Sequence, residues 1–298
     1  MKLLCWLLAI GIIPAIPARA DDCAPKTDHR SDTSSGIVIR DFVISGTRTL
    51  DSAELSRISG TFIGSCFDDD KEEIEERARA EFQNRGFFMV EVKGASIKPE
   101  DPLGHPKAVA VDVEIAEGAL YRLSKISFVD NHALSSKELQ SAFPLHSGDR
   151  FAREKIAMGL DSMRRLYLTS GHIEMTAIPN TLPDSNGTVA LEVQVIEGPQ
   201  YRMGKFAVKG KKESADALQA GWGLPEGAVF DQTYIEKYLT ENKPLLGENF
   251  EQSNGVQVVR NCRDNSVEVR LLLPGSPESF SPAPAEIDCD RPEPAKTN

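Results

Sequence analysis

Beyond its first twenty residues the chain has no apolar run near the roughly 20 residues that a membrane-spanning helix requires. It also lacks a basic excess. Lys and Arg total 34 against 45 Asp and Glu, a formal net charge of −11, which argues against a nucleic-acid partner. The five histidines (His29, His105, His132, His146, His172) are scattered, and the cysteines form no C-x-x-C pair, so no metal or cofactor site is expected. Asp68-Asp69-Asp70 has neither the spacing nor the glycine of a calcium loop. No G-x-S-x-G, S-x-x-K or phosphate-binding glycine loop stands in a credible context. Asn186-Gly187-Thr188 has the form of a glycosylation sequon, but Asn-Gly is ordinary turn chemistry. With no catalytic constellation, the chain reads as a non-enzyme.

What is present begins with an address. Residues 1–20 combine a basic start at Lys2, an apolar stretch broken by Pro14, and Ala18-Arg19-Ala20, the pattern of a secretory signal peptide. An exported chain is therefore expected, opening with a polar, flexible leader over 21–36. Cys23, Cys66, Cys262 and Cys289 remain after cleavage, an even number that suits disulfides in an oxidising compartment and allows three connectivities. Cys23–Cys66 and Cys262–Cys289 are the expected pairs, because each ties a terminus to its nearest module.

The organising feature is a stretch written twice. VAVDVEIAEGALYRLSKISFVD at 109–130 aligns without a gap to VALEVQVIEGPQYRMGKFAVKG at 189–210. Repetition at a fixed offset marks stacked structural repeats. Each copy reads as an alternating strand, a Glu-Gly break and the first strand of the next unit. Glu117, Gly118, Tyr121 and Arg122, and their counterparts Glu197, Gly198, Tyr201 and Arg202, thus form inter-module joints. Two roles suit them: Tyr packing across the boundary beside a solvated Arg, or a Glu-Tyr-Arg cluster that sets the angle between modules.

Periodicity fills in the rest. Ile37 begins a strand, Asp51 opens a short helix with Glu54 in capping-box spacing, and a second helix carries Ile74, Ala78 and Phe82 before Gly86 ends it. Strand two is expected from Phe87 to about Ile97, then strand three over Val109–Ile115. The second unit repeats this plan, with Gly171 closing its second helix. In the third unit the helix from Phe230 must stop near Pro244, and no helix-ending glycine is in place. The expected class is α+β: tandem β-α-α-β-β modules, each a small three-stranded sheet with two helices on one face. Their spans are 37–118, 119–198 and a degenerate 199–273, followed by a disordered tail over 274–298.

This unit, joined through EGxxYRxxK with a glycine after the second helix, resembles the polypeptide-transport-associated (POTRA) domain. Such domains form the periplasmic arms of outer-membrane protein assembly factors and two-partner-secretion transporters, where they precede a membrane β-barrel. The resemblance covers about residues 37–273. It implies a periplasmic scaffold, free or associated with the outer membrane, whose partners are an outer-membrane β-barrel, a membrane-associated protein or unfolded client polypeptides. It also points to the second strand as the open sheet edge, so Val90, Val92, Ile173 and Met175 are the candidate edge residues for strand addition. Two other readings stand beside it: a cell-division or envelope protein anchored by its N-terminal segment, and a secreted hydrolase with an unfamiliar site.

Overall fold

Alternation with period two puts every second side chain of a strand on one face. Val111, Val113 and Ile115, and likewise Val267, Val269 and Leu271, are all buried in this way. The computed structural model describes residues 36–101, 103, 107–276 and 280. The expected signal peptide, most of the leader, Cys23 and Cys289 lie outside that range. The first module runs β1 (Ile37–Ser45), α1 (Ser52–Phe62), α2 (Lys71–Gln83), β2 (Glu91–Asp101) and β3 (Lys107–Ala116). The second runs β4 (Arg122–Val129), α3 (Ser136–Ser141), α4 (Arg153–Thr169), β5 (Thr176–Pro183) and β6 (Thr188–Ile196). The third runs β7 (Arg202–Lys209), α5 (Lys212–Gly221), α6 (Thr233–Glu241), α7 (Lys243–Leu246), α8 (Gln252–Gly255), β8 (Val256–Asn261) and β9 (Ser266–Leu272). The fold is α+β, built from three three-stranded sheets.

The strand orders are β1-β3-β2, β4-β6-β5 and β7-β9-β8, so the last strand of each module is central. In the first and third sheets it pairs parallel with the first strand and antiparallel with the second. Helix faces supply the other half of each core. Ile58 and Phe62 of α1 and Ile74, Ala78 and Phe82 of α2 pack on Ile39, Phe42 and Val111. In the third module Leu218, Ile235, Tyr238 and Leu239 pack on Met203, Val267 and Val269.

Local chemistry sets the helix starts. Asp51 accepts from Glu54 N at 2.8 Å, Asp70 accepts from Glu72 N at 2.9 Å, and Ser135 with Glu138 completes a reciprocal capping box. One expectation needs correction. The second strands start later than the apolar pattern suggests: β2 begins at Glu91 and β5 at Thr176, because turns follow each helix-ending glycine. Val90 N donates to Phe87 O and Met175 N to His172 O, which uses these donors in turns. In the third module the expectation holds: α6 ends at Glu241 with Asn242 as its cap and no glycine follows, while Gly247, at φ +91°, closes the separate turn α7 that contains Pro244.

The chain divides into two compact units. One takes the residues through Ser127 with Phe143–Gly159 and Thr181–Glu192; the other takes Phe128–Ala142, Leu160–Asn180 and the residues from Val193 on. Each joint lies within a single unit.

Candidate functional site

An edge strand exposes unpaired N–H and C=O groups, so the first question is which edges are open. The first strand of each module is covered over its opening residues by the loop between its own helices. Ile39 N donates to Ser65 O at 3.0 Å, Gly64 N to Ile39 O at 2.8 Å and Phe67 N to Ile37 O at 2.9 Å. The second module repeats this with Leu123 N to Asp149 O, Gly148 N to Leu123 O and Phe151 N to Tyr121 O. The third uses Met203 N to Ala228 O, Gly227 N to Met203 O and Phe230 N to Tyr201 O. The glycines at 64, 148 and 227 have φ between +83° and +91°, which a side chain would strain. All three stand in a G-x-x-F sequence, Gly64 to Phe67, Gly148 to Phe151 and Gly227 to Phe230. That recurrence carries the closing loop, and the periodicity of the flanking helices hides it.

The second strands β2, β5 and β8 remain at the outer edges of their sheets. Of the four candidate edge residues, only Val92 lies within a strand. Val90 and Met175 are buried in the turns before β2 and β5, and Ile173 belongs to the second of those turns. The direction of the β2 donors follows from Ala95, whose N–H donates sideways to Glu75 Oε1 at 3.1 Å. Ladder alternation gives Ile97 and Pro99 the same outward phase. Across the register shift between Val92 and Gly94, Val92 opposite Ile115 shares it too. Val92, Ala95 and Ile97 pack partly against the first core, so they present backbone outward and side chains inward. Pro99 has no N–H, as befits an edge position. Beside this edge opens a cavity of about 390 Å³ lined by Ile37, Phe67, Ile97, Pro99 and Val109, with Lys71 and Lys107 among its polar residues.

At the joints, Glu and Arg bond within their own modules. Glu117 Oε1 accepts from Arg48 N at 2.9 Å and from Thr49 N at 2.7 Å, tying the end of β3 to the loop before α1. Glu197 Oε1 accepts from His132 N and Ala133 N, both at 2.8 Å, and from the Tyr167 hydroxyl at 2.9 Å. Burial disfavours the charged Glu197 carboxylate, yet these donors and nearby His172 outweigh it and hold its pKa below the ordinary value. Arg122 Nη1 donates to Gly148 O at 2.7 Å, and Arg202 Nη1 to Gly227 O at 2.9 Å. Both guanidiniums therefore fasten the closing loop.

The tyrosines and second helices cross the boundary. Tyr121 N donates to Gly86 O and Tyr201 N to Gly171 O, each at 2.8 Å. At the first joint Arg153 bonds Glu76 at 2.6 Å and Gln83 at 3.2 Å, and Glu154 N donates to Asn84 Oδ1 at 2.7 Å. Burial works against the Glu76 charge, but Arg153 and Arg79 lower its pKa overall. Phe88 meets the rings of Tyr121 and Phe151. At the second joint the fully buried Tyr201 donates through its hydroxyl to Glu174 Oε1, which also accepts from Arg260, both at 2.8 Å. Gly118 and Gly198 have φ +71° and +67°, the left-handed backbone that turns each chain into the next module.

Cys66 and Cys262 each have a partner, while Cys23 and Cys289 lie outside the described residues. Among the described residues no His, Cys, Asp and Glu cluster could hold a metal, and no helix is long and apolar enough to cross a membrane.

Comparison with known proteins places this geometry. The family described as "Surface antigen variable number repeat" (POTRA) matches residues 37–118 and 121–198. Outer membrane protein assembly factor BamA of Neorickettsia risticii (strain Illinois) is 21% identical over 198 residues, covering 59% of this chain and 26% of that protein. The match thus spans about a quarter of that relative's length. The crystal structure of Haemophilus influenzae BamA POTRA3-5 is similar at TM-score 0.58 and 19% identity, covering 80% of this chain and 96% of that one. At that identity the likeness bears on the fold alone.

Proposed function

This chain belongs to the POTRA family, and from that premise we propose that it is a non-catalytic periplasmic scaffold. It binds outer-membrane β-barrel components or unfolded client polypeptides by adding their strands to its open sheet edges. The observation that carries this reading is the difference between the edges: each first strand is covered over its opening residues by its own G-x-x-F loop, while among the described residues β2, β5 and β8 have no such loop bonded along them. An extended client alongside β2 meets the outward N–H groups of Val92 and Ile97, and that of Ala95 once Glu75 is displaced. Each such bond contributes about 0.5–1.5 kcal/mol net, so a few in register give reversible capture of a non-specific strand. Pro99 ends the run of donors, and the neighbouring cavity accepts an apolar client side chain there. The joints link each module to the next, the Tyr-Gly backbone bonds acting across each boundary. The leader and tail are fastened by Cys23–Cys66 and Cys262–Cys289.

Photo-crosslinking tests this reading in intact cells. A crosslinker replacing the exposed Lys93 of β2 should capture outer-membrane β-barrel polypeptides, and one replacing the exposed Arg202, in the loop-covered stretch of β7, should not. Equal capture from both positions would refute edge addition at β2.

A further inference from the structure

The outer face of the third sheet has an occupant within this chain. Val267, Val269 and Leu271 of β9 face the core formed with α5 and α6, so Glu268, Arg270 and Leu272 face the other way. Ala207 and Gln257 flank Arg270 in the adjacent strands, and Val259 lies opposite Glu268. Onto this face comes Phe280. Its ring centroid lies 5.0 Å from Lys209 Nζ and 5.5 Å from Arg270 Cζ. Glu268 holds the Arg270 guanidinium at 3.0 Å and 3.3 Å, so the ring meets an oriented cation. After β9, Gly275 at φ +70° has turned the chain, and Phe280 is already back over the sheet it left.

We propose that residues 281–289 continue from this seat across the outer face of the third sheet and end at Cys262, bonded there by Cys289. Reach permits it. Gln257 lies opposite Arg270, and the five residues from there to Cys262 span about 17 Å of strand. The nine residues from Phe280 to Cys289 can extend about 30 Å. Charge favours it as well. Asp288 and Asp290 bracket Cys289, whereas Arg263 follows Cys262, and Cys262 already has a partner. This docking leaves the β8 edge and buries only the face, so it is independent of strand addition at β2.

The full-length, unreduced protein tests it. Peptide mapping should find Cys262 joined to Cys289; any other partner for Cys262 overturns the proposal. Glu-specific proteolysis after Glu286 should be slow in the native chain and about fivefold faster in Phe280→Ala, the effect of losing cation–π contacts of ordinary strength. Phe280→Trp should restore slow cleavage. An unchanged rate in Phe280→Ala, or protection that rises with protein concentration and so reports a second copy, rules out docking by the chain's own segment.

Discussion

The Tyr167 hydroxyl donates to Glu197 Oε1 at 2.9 Å, and the residue equivalent to Tyr167 in the first module is Phe82. Both carbonyls accept from the N–H five residues on, Phe87 N to Phe82 O and His172 N to Tyr167 O, which fixes the equivalence. Glu117 takes the place of Glu197, and its Oε2 is buried without a hydrogen-bond partner. Phe82→Tyr should therefore supply a missing donor. The expected gain is about 1 kcal/mol, seen as a higher urea midpoint with unchanged slope. A lower midpoint would mean that the close-packed site has no room for the hydroxyl.

Glu197 gives the second joint an acid limit. Its folded pKa is depressed, so its contribution is fully present above the ordinary carboxylate value of 4.5 and is lost as pH falls through the lower folded value. Stability should decline on acidification below 4.5, and Glu197→Gln should decline less steeply in that window. Equal slopes for the two proteins, measured by denaturant titration, would remove Glu197 from the acid response.

Tyr201 sets an alkaline limit at the same joint. Burial, and then the hydrogen bond to the Glu174 carboxylate, push its pKa up to about 12. A raised pKa means the contribution is complete below the ordinary tyrosine value of 10 and is lost as pH rises through about 12. Tyr201→Phe removes a bond to a charged acceptor and should cost about 1–2 kcal/mol at neutral pH. Its stability should then fall less between pH 10 and 12 than that of the native protein.

Much of this fold is legible in the residues because its signals are local. Alternating valines mark β3 and β6, capping residues mark Asp51 and Ser135, and the Glu-Gly repeat marks the joints. The second strands are shifted because Phe87 and Val90 are apolar for packing in a turn, and apolarity alone does not separate turn from strand. The division of labour at the joints is likewise hidden. Glu and Arg of the joint motif bond to loops many residues away within their own module, while the boundary is crossed by Tyr-Gly backbone bonds and by side chains such as Arg153 and Glu76 that no local pattern pairs. The stop before Pro244 was legible too: α6 ends at Asn242, and Gly247, unlike Gly86 and Gly171, closes a separate turn.

Those glycines separate backbone strain from a joint clash. Gly171 and Gly247 both have positive φ, and Gly247 has ψ 157° as well, so alanine at either costs roughly 1–3 kcal/mol for conformation. At Gly171 an added Cβ would also lie 2.7 Å from Tyr201 O and 3.0 Å from Val229 Cγ1, whereas at Gly247 nothing lies within 4 Å. Gly171→Ala should consequently be the more damaging, by a further 1–3 kcal/mol or so as the second joint shifts. Similar losses at the two positions would show that Tyr201 yields without cost.

The edge of β2 offers opposed changes. Val92→Pro and Ile97→Pro each delete one outward N–H, and neither breaks a ladder bond to β3, because both share the outward phase of Ala95. Both variants should remain folded, with far-ultraviolet spectra like the native chain, and bind a denatured outer-membrane β-barrel polypeptide several-fold more weakly. Glu75→Ala acts in the other direction. It frees the Ala95 N–H from its internal acceptor and removes a carboxylate from the path of an added strand, so binding should strengthen. Glu75→Gln keeps an acceptor oxygen there and should stay near native affinity, which distinguishes release of the donor from loss of charge. If the proline variants fold and bind normally while Glu75→Ala changes nothing, clients do not add to this edge, and the search moves to β5 and β8.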